Sequence, residues 1–136
     1  LTLNQISEFR VAIEGRVTYL AAGAADPSDI RQLHQRLEQV RTRMTGGDNW
    51  RAYIEADQSI HLYLAQMAGN PLFSQALEAT MGLKPYFCRF LRLRPALMET
   101  NYLDLVKIVS AIETRRPEAA SQATQQHITR FNEAVV

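Results

Sequence analysis

Apolar side chains recur at spacings of three and four residues along nearly the whole chain, and this period is the strongest constraint on its fold. The first 24 residues show one apolar stripe that only Arg10 interrupts, which is the pattern of an amphipathic helix. No stretch alternates between apolar and polar residues in the manner of a strand bounded by hairpin turns. The sequence therefore predicts an all-α fold, an antiparallel bundle of six or seven helices joined by short loops.

Proline, glycine and aspartate predict the ends of the early helices. Asp26 fits the N-cap of a second helix and Pro27 its first position. This helix is expected to end in the segment "TGGD", residues 45–48, because glycine commonly ends helices. A third helix is predicted from about Trp50 to a closing Gly69.

Proline also divides the second half of the chain. Pro71 opens a long helical segment that we expect Pro85 to kink and Pro95 to end, because proline removes a backbone donor. A short connection, "ALMETN", should follow. The next helix is predicted from an apolar pattern formed by Leu103, Val106, Ile108, Val109 and Ile112. Pro117 then opens the last helix.

Composition and charge limit the classes of function. A chain of 136 residues can bury the core of one domain, and no apolar run approaches the roughly 18 residues of a membrane span. The net charge is +1 with basic and acidic residues interleaved, which argues against nucleic-acid binding by this segment alone. Cys88 is the single cysteine, and no signal-peptide pattern is visible. These features predict a cytoplasmic protein.

The third helix carries two polar residues, Asp57 and His61, on its predicted buried face. Side chains four residues apart on a helix lie on one face, so this carboxylate and imidazole can point at a common atom. His127 lies on the apolar stripe of the last helix and is the best third ligand, whereas His34 is expected on a solvated face. The group fits either a divalent-cation site or a hydrogen-bonded pair that satisfies itself.

Two established metal-site patterns are absent from the sequence. Di-iron bundles need Glu-x-x-His motifs on paired helices, but Arg31, Gln58 and Thr124 stand three residues before the histidines. The His-Glu-x-x-His pattern of zinc proteases is also missing. Both classes are therefore excluded.

Three segments resemble a known family in their order and spacing. They are "FRVAIEGRVTYLAAGAA", "DQSIHLYLAQMAGNPLF" and "IVSAIETRRPEAASQATQQHI". Together they are similar to the FCD domain, the C-terminal effector-sensing domain of FadR-type transcription regulators of the GntR family. The most specific part is Asp-x-x-x-His followed by an apolar turn and Gly-Asn-Pro.

This resemblance covers nearly the whole chain and implies its fold, ligand and partners. It implies an antiparallel all-α bundle that binds a small organic-acid or sugar-acid metabolite in a central cavity. It also implies a homodimer and a winged-helix DNA-binding domain that would precede Leu1. We therefore expect residues 1–136 to form one ligand-sensing and dimerising domain that contacts DNA only through that other domain, contacts no membrane and is not an enzyme.

The resemblance also implies a set of metal ligands. Many members hold a divalent cation, commonly zinc or nickel, on one aspartate and three histidines. Asp57, His61 and His127 match three of these positions, and the fourth falls on Leu105, which has no ligand atom. This chain therefore departs from the family pattern at one ligand.

Three outcomes are open at the incomplete ligand set. Zinc accepts three protein ligands with water or an effector carboxylate in the fourth place. Asn101 or Asp104, close to Leu105 in sequence, can instead lend an oxygen. Alternatively, the cation is lost and the pocket binds its effector directly.

Two arginines are candidate contacts for an effector carboxylate. Arg10 matches the first-helix Arg-x-x-x-Glu element of the family, where a guanidinium can bind a carboxylate through two hydrogen bonds. A salt bridge to Glu14, one turn away, explains Arg10 equally well. Arg89, in the segment expected to be kinked, is the second candidate.

Two other classes of function compete with the sensor. A mononuclear metallohydrolase can use an Asp-His-His site, but no Glu or Asp stands at an obvious general-base spacing from His61 or His127. The other class is a dimerisation bundle without a functional pocket.

Overall fold

The computed structural model describes residues 1–44, 50–83 and 95–135 of the chain. All regular elements within these ranges are helices, which confirms the all-α prediction. The six helices are α1 (Leu3–Ala24), α2 (Pro27–Met44), α3 (Trp50–Met67), α4 (Pro71–Met81), α5 (Pro95–Glu113) and α6 (Pro117–Val135).

The helix starts and ends predicted from Asp26, Pro27 and Gly69 are confirmed. The Asp29 backbone N–H donates to Asp26 Oδ1 at 2.8 Å, and the Asp26 N–H donates to Asp29 Oδ2 at 3.1 Å. Gly69 follows α3 with a φ of 81°, a conformation that glycine adopts without steric cost. The end of α2 predicted in residues 45–48 lies outside the described residues.

The prediction of a connection after Pro95 is wrong, whereas the end of the preceding segment, residues 84–94, lies outside the described residues. Pro95 begins α5, and the segment "ALMETN", expected to be a connection, forms its first turns. A proline fits the first position of a helix because the N–H that it lacks would have no partner there. The kink predicted at Pro85 lies outside the described residues.

The buried face of α5 also differs from the predicted one. Leu103 is 56% exposed and Val106 is 36% exposed, although both belong to the apolar pattern that predicted this helix. The buried positions of α5 are Met98, Asn101, Leu105, Ile108, Val109, Ala111 and Ile112. Isolated apolar residues are common on protein surfaces, so a short pattern cannot tell which face is buried.

Helices α1 and α6 pack along each other in opposite directions. The Thr18 hydroxyl contacts the Ala120 carbonyl oxygen at 3.4 Å, and Asn132 Nδ2 donates to Asn4 Oδ1 at 2.8 Å. Helix α5 packs against α6 and α2, while α3 packs against α1, α2 and α4. This arrangement surrounds the bundle centre with α1, α3, α5 and α6.

Apolar residues form most of the interior, but the four central helices also bury polar side chains. Within the described ranges these are Arg10, Glu14, Thr18, Asp57, His61, Asn101, Thr124 and His127. None of the helices in residues 1–44, 50–83 and 95–135 has the length and apolar character needed to cross a bilayer.

Candidate metal centre

The structure brings together the three ligands predicted from sequence. Helix α3 carries Asp57 and His61 one turn apart, and α6 carries His127; each is 2% or 3% exposed. One ligand atom from each residue lies within 4.8 Å of the other two. The two imidazole rings stack with their centroids 5.6 Å apart and their planes 14° apart. The site is thus built from facing helices at the bundle centre.

Glu14 of α1 orients His61. Its Oε1 forms a short hydrogen bond with His61 Nδ1. The other ring nitrogen, Nε2, is buried without a hydrogen-bond partner among the described residues and lies 3.4 Å from Asp57 Oδ1. A carboxylate on Nδ1 keeps the proton of a neutral imidazole there and leaves the lone pair on Nε2. His61 therefore has the orientation of a metal ligand.

Asp104 of α5 orients His127 in the same way. His127 Nδ1 lies 3.1 Å from Asp104 Oδ2, and Arg130 Nη1 donates to the other oxygen of this carboxylate. Burial alone would raise the pKa of Asp104, but His127 and Arg130 outweigh it and lower the pKa. The sequence offered Asp104 as an oxygen ligand, but its carboxylate instead contacts Nδ1 of His127. This leaves Nε2 as the His127 ring nitrogen that can act as a ligand.

Asn101 holds the carboxylate of Asp57. Its Nδ2 donates to Asp57 Oδ1 at 3.1 Å and to the Tyr53 hydroxyl at 2.6 Å. The Tyr53 hydroxyl in turn donates to the Met98 carbonyl oxygen at 2.9 Å. Burial raises the pKa of Tyr53 far above its usual value, so it stays a donor. This chain of hydrogen bonds ties α3 to α5 beside the site.

Arg10 forms an ion pair with Glu14, as one of its two sequence interpretations predicted. Arg10 Nε donates to Glu14 Oε2 at 2.6 Å, and both side chains are buried. Burial alone would raise the pKa of Glu14, but Arg10 and His61 outweigh it and hold the pKa well below its usual range. Burial lowers the pKa of His61, but Glu14 and Asp57 outweigh it and raise the pKa.

The sequence also singled out Leu105, Arg89 and His34. Leu105 is fully buried in the apolar core, one turn after Asn101. Arg89 lies outside the described residues. His34 is exposed, as predicted, and lies 3.0 Å from Glu113.

The charges around the ligands favour a cation. Three carboxylates, those of Glu14, Asp57 and Asp104, meet two guanidinium groups, those of Arg10 and Arg130. With both histidines neutral, this cluster carries one net negative charge in an interior that disfavours uncompensated charge. Sequence reasoning missed the roles of Glu14 and Asp104 toward the histidines.

Helical bundles build ligand and metal sites from side chains on facing helices, and this chain places a carboxylate and two imidazoles in such a position. A family profile described as the FCD domain matches residues 5–130. The chain belongs to the FCD domain family, in agreement with the resemblance seen in its sequence.

Two curated relatives carry the name HTH-type transcriptional repressor NanR. The protein from Cronobacter sakazakii is 28% identical over 134 residues, which cover 93% of this chain and 48% of the relative. The protein from Escherichia coli K12 gives the same identity and coverage. The chain thus spans about half the length of these relatives.

Solved structures show the same fold. Streptococcus agalactiae GntR superposes with a TM-score of 0.80 at 20% identity, covering 96% of this chain and 58% of that chain. Escherichia coli McbR/YncC also gives a TM-score of 0.80, at 16% identity, covering 97% of this chain and 65% of that chain.

Proposed function

We propose that this domain senses a small carboxylate metabolite through a divalent cation, zinc or nickel, bound by Asp57, His61 and His127. The observation that carries the proposal is the approach of the three ligand atoms to within 4.8 Å. Each histidine also has Nδ1 against a carboxylate, the arrangement that supports metal-bound imidazoles.

The donor set fits zinc or nickel. Two imidazoles and one carboxylate are ordinary ligands for both ions. Ligand atoms about 2.1 Å from a tetrahedral cation lie roughly 3.4 Å from one another, so small side-chain movements would close the present spacing. His61 Nε2, which has no hydrogen-bond partner in the described part of the chain, would use its lone pair to coordinate the cation.

The charge of the cluster supports an anionic effector. A divalent cation would change its single negative charge to a single positive charge, which an effector carboxylate would neutralise. Since Leu105 adds no ligand atom, a place in the coordination sphere remains for that carboxylate. Roles for Arg10, Asn101 and Arg89 in effector binding stay predictions.

The relatives support a role in transcription regulation. Proteins named as transcriptional repressors match over nearly all of this chain, while the chain covers about half of each of them. We therefore propose a full-length GntR-family regulator that dimerises through this domain and binds DNA through a separate winged-helix domain. Effector binding would reorient the DNA-binding domains if the effector's affinity differs between two arrangements of the bundle.

Elemental analysis of the purified domain tests the metal. The wild-type protein should contain about one equivalent of zinc or nickel, and Asp57→Ala should lose it, because only two of the three protein ligands would remain. His34→Ala is the matched control, since this exposed histidine lies outside the site and its removal should leave the metal content unchanged. Small carboxylates should then raise the melting temperature of the loaded wild-type protein.

Two results would redirect the proposal. Absence of metal after loading with zinc and nickel would make Asp57, His61 and His127 polar walls of a metal-free pocket. Turnover of ester or phosphoester substrates by the loaded protein, lost in Asp57→Ala, would favour the metallohydrolase instead.

A further inference from the structure

Thr124 of α6 is a buried polar residue for which the proposed metal site has no role. Its side chain is 0% exposed, and Oγ1 has no hydrogen-bond partner among the described residues. A threonine within a helix ordinarily donates to the carbonyl four residues earlier. Here that carbonyl, on Ala120, is contacted instead by the Thr18 hydroxyl at 3.4 Å.

The neighbours of Thr124 define the direction in which its side chain points. Ala123 borders the groove between α5 and α6. Gln125 packs on α1, where its Nε2 would lie 2.6 Å from a Cβ added to Gly15. Since successive helical residues are about 100° apart, Thr124 points between these directions, into the bundle interior.

The same face of α6 carries His127 one turn later. Residues three apart on a helix have Cβ atoms about 5–6 Å apart, so the Thr124 and His127 side chains start from neighbouring positions on this face. Both are buried, at 0% and 3% exposure. Thr124 thus places an unpartnered polar atom, Oγ1, in the interior on the face of α6 that carries His127.

A buried hydroxyl without a partner destabilises the folded chain, so an apolar residue would serve better if the position were purely structural. A bound oxygen anion would supply the missing acceptor. We propose that Thr124 is a ligand-binding residue whose Oγ1 donates a hydrogen bond to a carboxylate oxygen held at the metal site. This inference rests on the proposed function and adds a residue that selects oxygen anions.

The test compares Thr124→Val, which keeps the shape and removes the donor, with Thr124→Ser, which keeps the hydroxyl. Each protein is loaded with cobalt(II) in place of zinc, and acetate is titrated while the visible absorption of the cobalt is followed. Thr114→Val is the matched control, because Thr114 is an exposed threonine just after α5 that donates to the Ser110 carbonyl oxygen.

Thr124→Val should bind one equivalent of cobalt and bind acetate about tenfold more weakly than wild type. Thr124→Ser and Thr114→Val should stay within about threefold of wild type. Without metal, Thr124→Val should keep its melting temperature or raise it by about 3 °C, because the unpartnered hydroxyl is gone.

Two results overturn the inference in distinguishable ways. Equal acetate affinity in cobalt-loaded wild type and Thr124→Val, or a melting temperature lowered by Thr124→Val without metal, overturns the role of Thr124 alone. Failure of the wild-type protein to bind cobalt or zinc overturns the proposed function, and the Thr124 inference falls with it.

Discussion

Replacing Glu14 by glutamine is the sharpest test of how the site is held together. The Glu14 carboxylate accepts hydrogen bonds on both oxygens, from Arg10 Nε and from His61 Nδ1. Glutamine has one acceptor oxygen, and arginine can only donate, so the amide oxygen would turn to Arg10. The amide NH2 would then face His61 Nδ1, which must accept. The imidazole proton would move to Nε2 and remove the lone pair that a cation needs.

The expected losses of unfolding free energy and of metal affinity follow from the burial of these side chains. The Arg10 and Glu14 side chains are 9% and 2% exposed, so Glu14→Gln breaks a buried ion pair. Breaking a buried ion pair by removing one partner costs about 3–5 kcal/mol of unfolding free energy. Loss of the carboxylate behind a ligating histidine lowers metal affinity about 10- to 100-fold, and the wrong imidazole tautomer places the effect at the upper end.

Urea denaturation of the metal-free protein measures the stability change, and competition with a chromophoric chelator measures the zinc affinity. Glu113→Gln is the matched control, because Glu113 pairs with His34 while both side chains are about half exposed. It should change stability by less than about 1 kcal/mol and leave zinc affinity unchanged. Glu14→Gln with a stability loss below about 1 kcal/mol and zinc affinity within about threefold of wild type would refute the reasoning.

Two further predictions concern pH and the missing ligand. Glu14, whose pKa is lowered from 4.5, stabilises the metal-free protein above that pH and loses this effect as pH falls toward its folded pKa. His61, whose pKa is raised from 6.5, stabilises it below that pH and loses this effect as pH rises through its folded pKa. Urea midpoints of the metal-free protein should therefore peak between these values, and a midpoint that rises steadily to pH 9 would contradict this. Leu105→His should raise zinc affinity at least about tenfold and, without metal, cost about 1–3 kcal/mol, because an imidazole replaces a fully buried leucine. Chelator competition and urea denaturation measure both changes, and unchanged zinc affinity would show that residue 105 lies out of reach of the cation.

Local rules were sufficient to find the three candidate ligands that the structure brings together. Asp57 and His61 share a face of α3 because they are four residues apart, and the apolar residues around them predicted that this face is buried. His127 followed from the same argument on α6, and the exposed His34 was correctly separated from it. These assignments need only the helical period, which acts within one helix.

The tertiary structure determined which residues form hydrogen bonds with the three candidate ligands. Glu14 meets His61 across 47 residues, Asn101 meets Asp57 across 44, and Asp104 meets His127 across 23. The sequence offered an Arg10–Glu14 salt bridge as one of two interpretations of Arg10, and this contact within α1 is present.

The orientation of neighbouring helices is the physical reason why the sequence predicted the candidate ligands but not the residues that contact them. A periodic pattern defines a buried face, but the partner that a given side chain meets depends on how neighbouring helices are turned and shifted against each other. On α5 the local pattern even indicated Leu103 and Val106 for the interior, whereas packing exposes both and buries Asn101. The sequence by itself determined the all-α fold, most helix starts and the three candidate ligands, and packing between helices determined the carboxylates and amide that contact them.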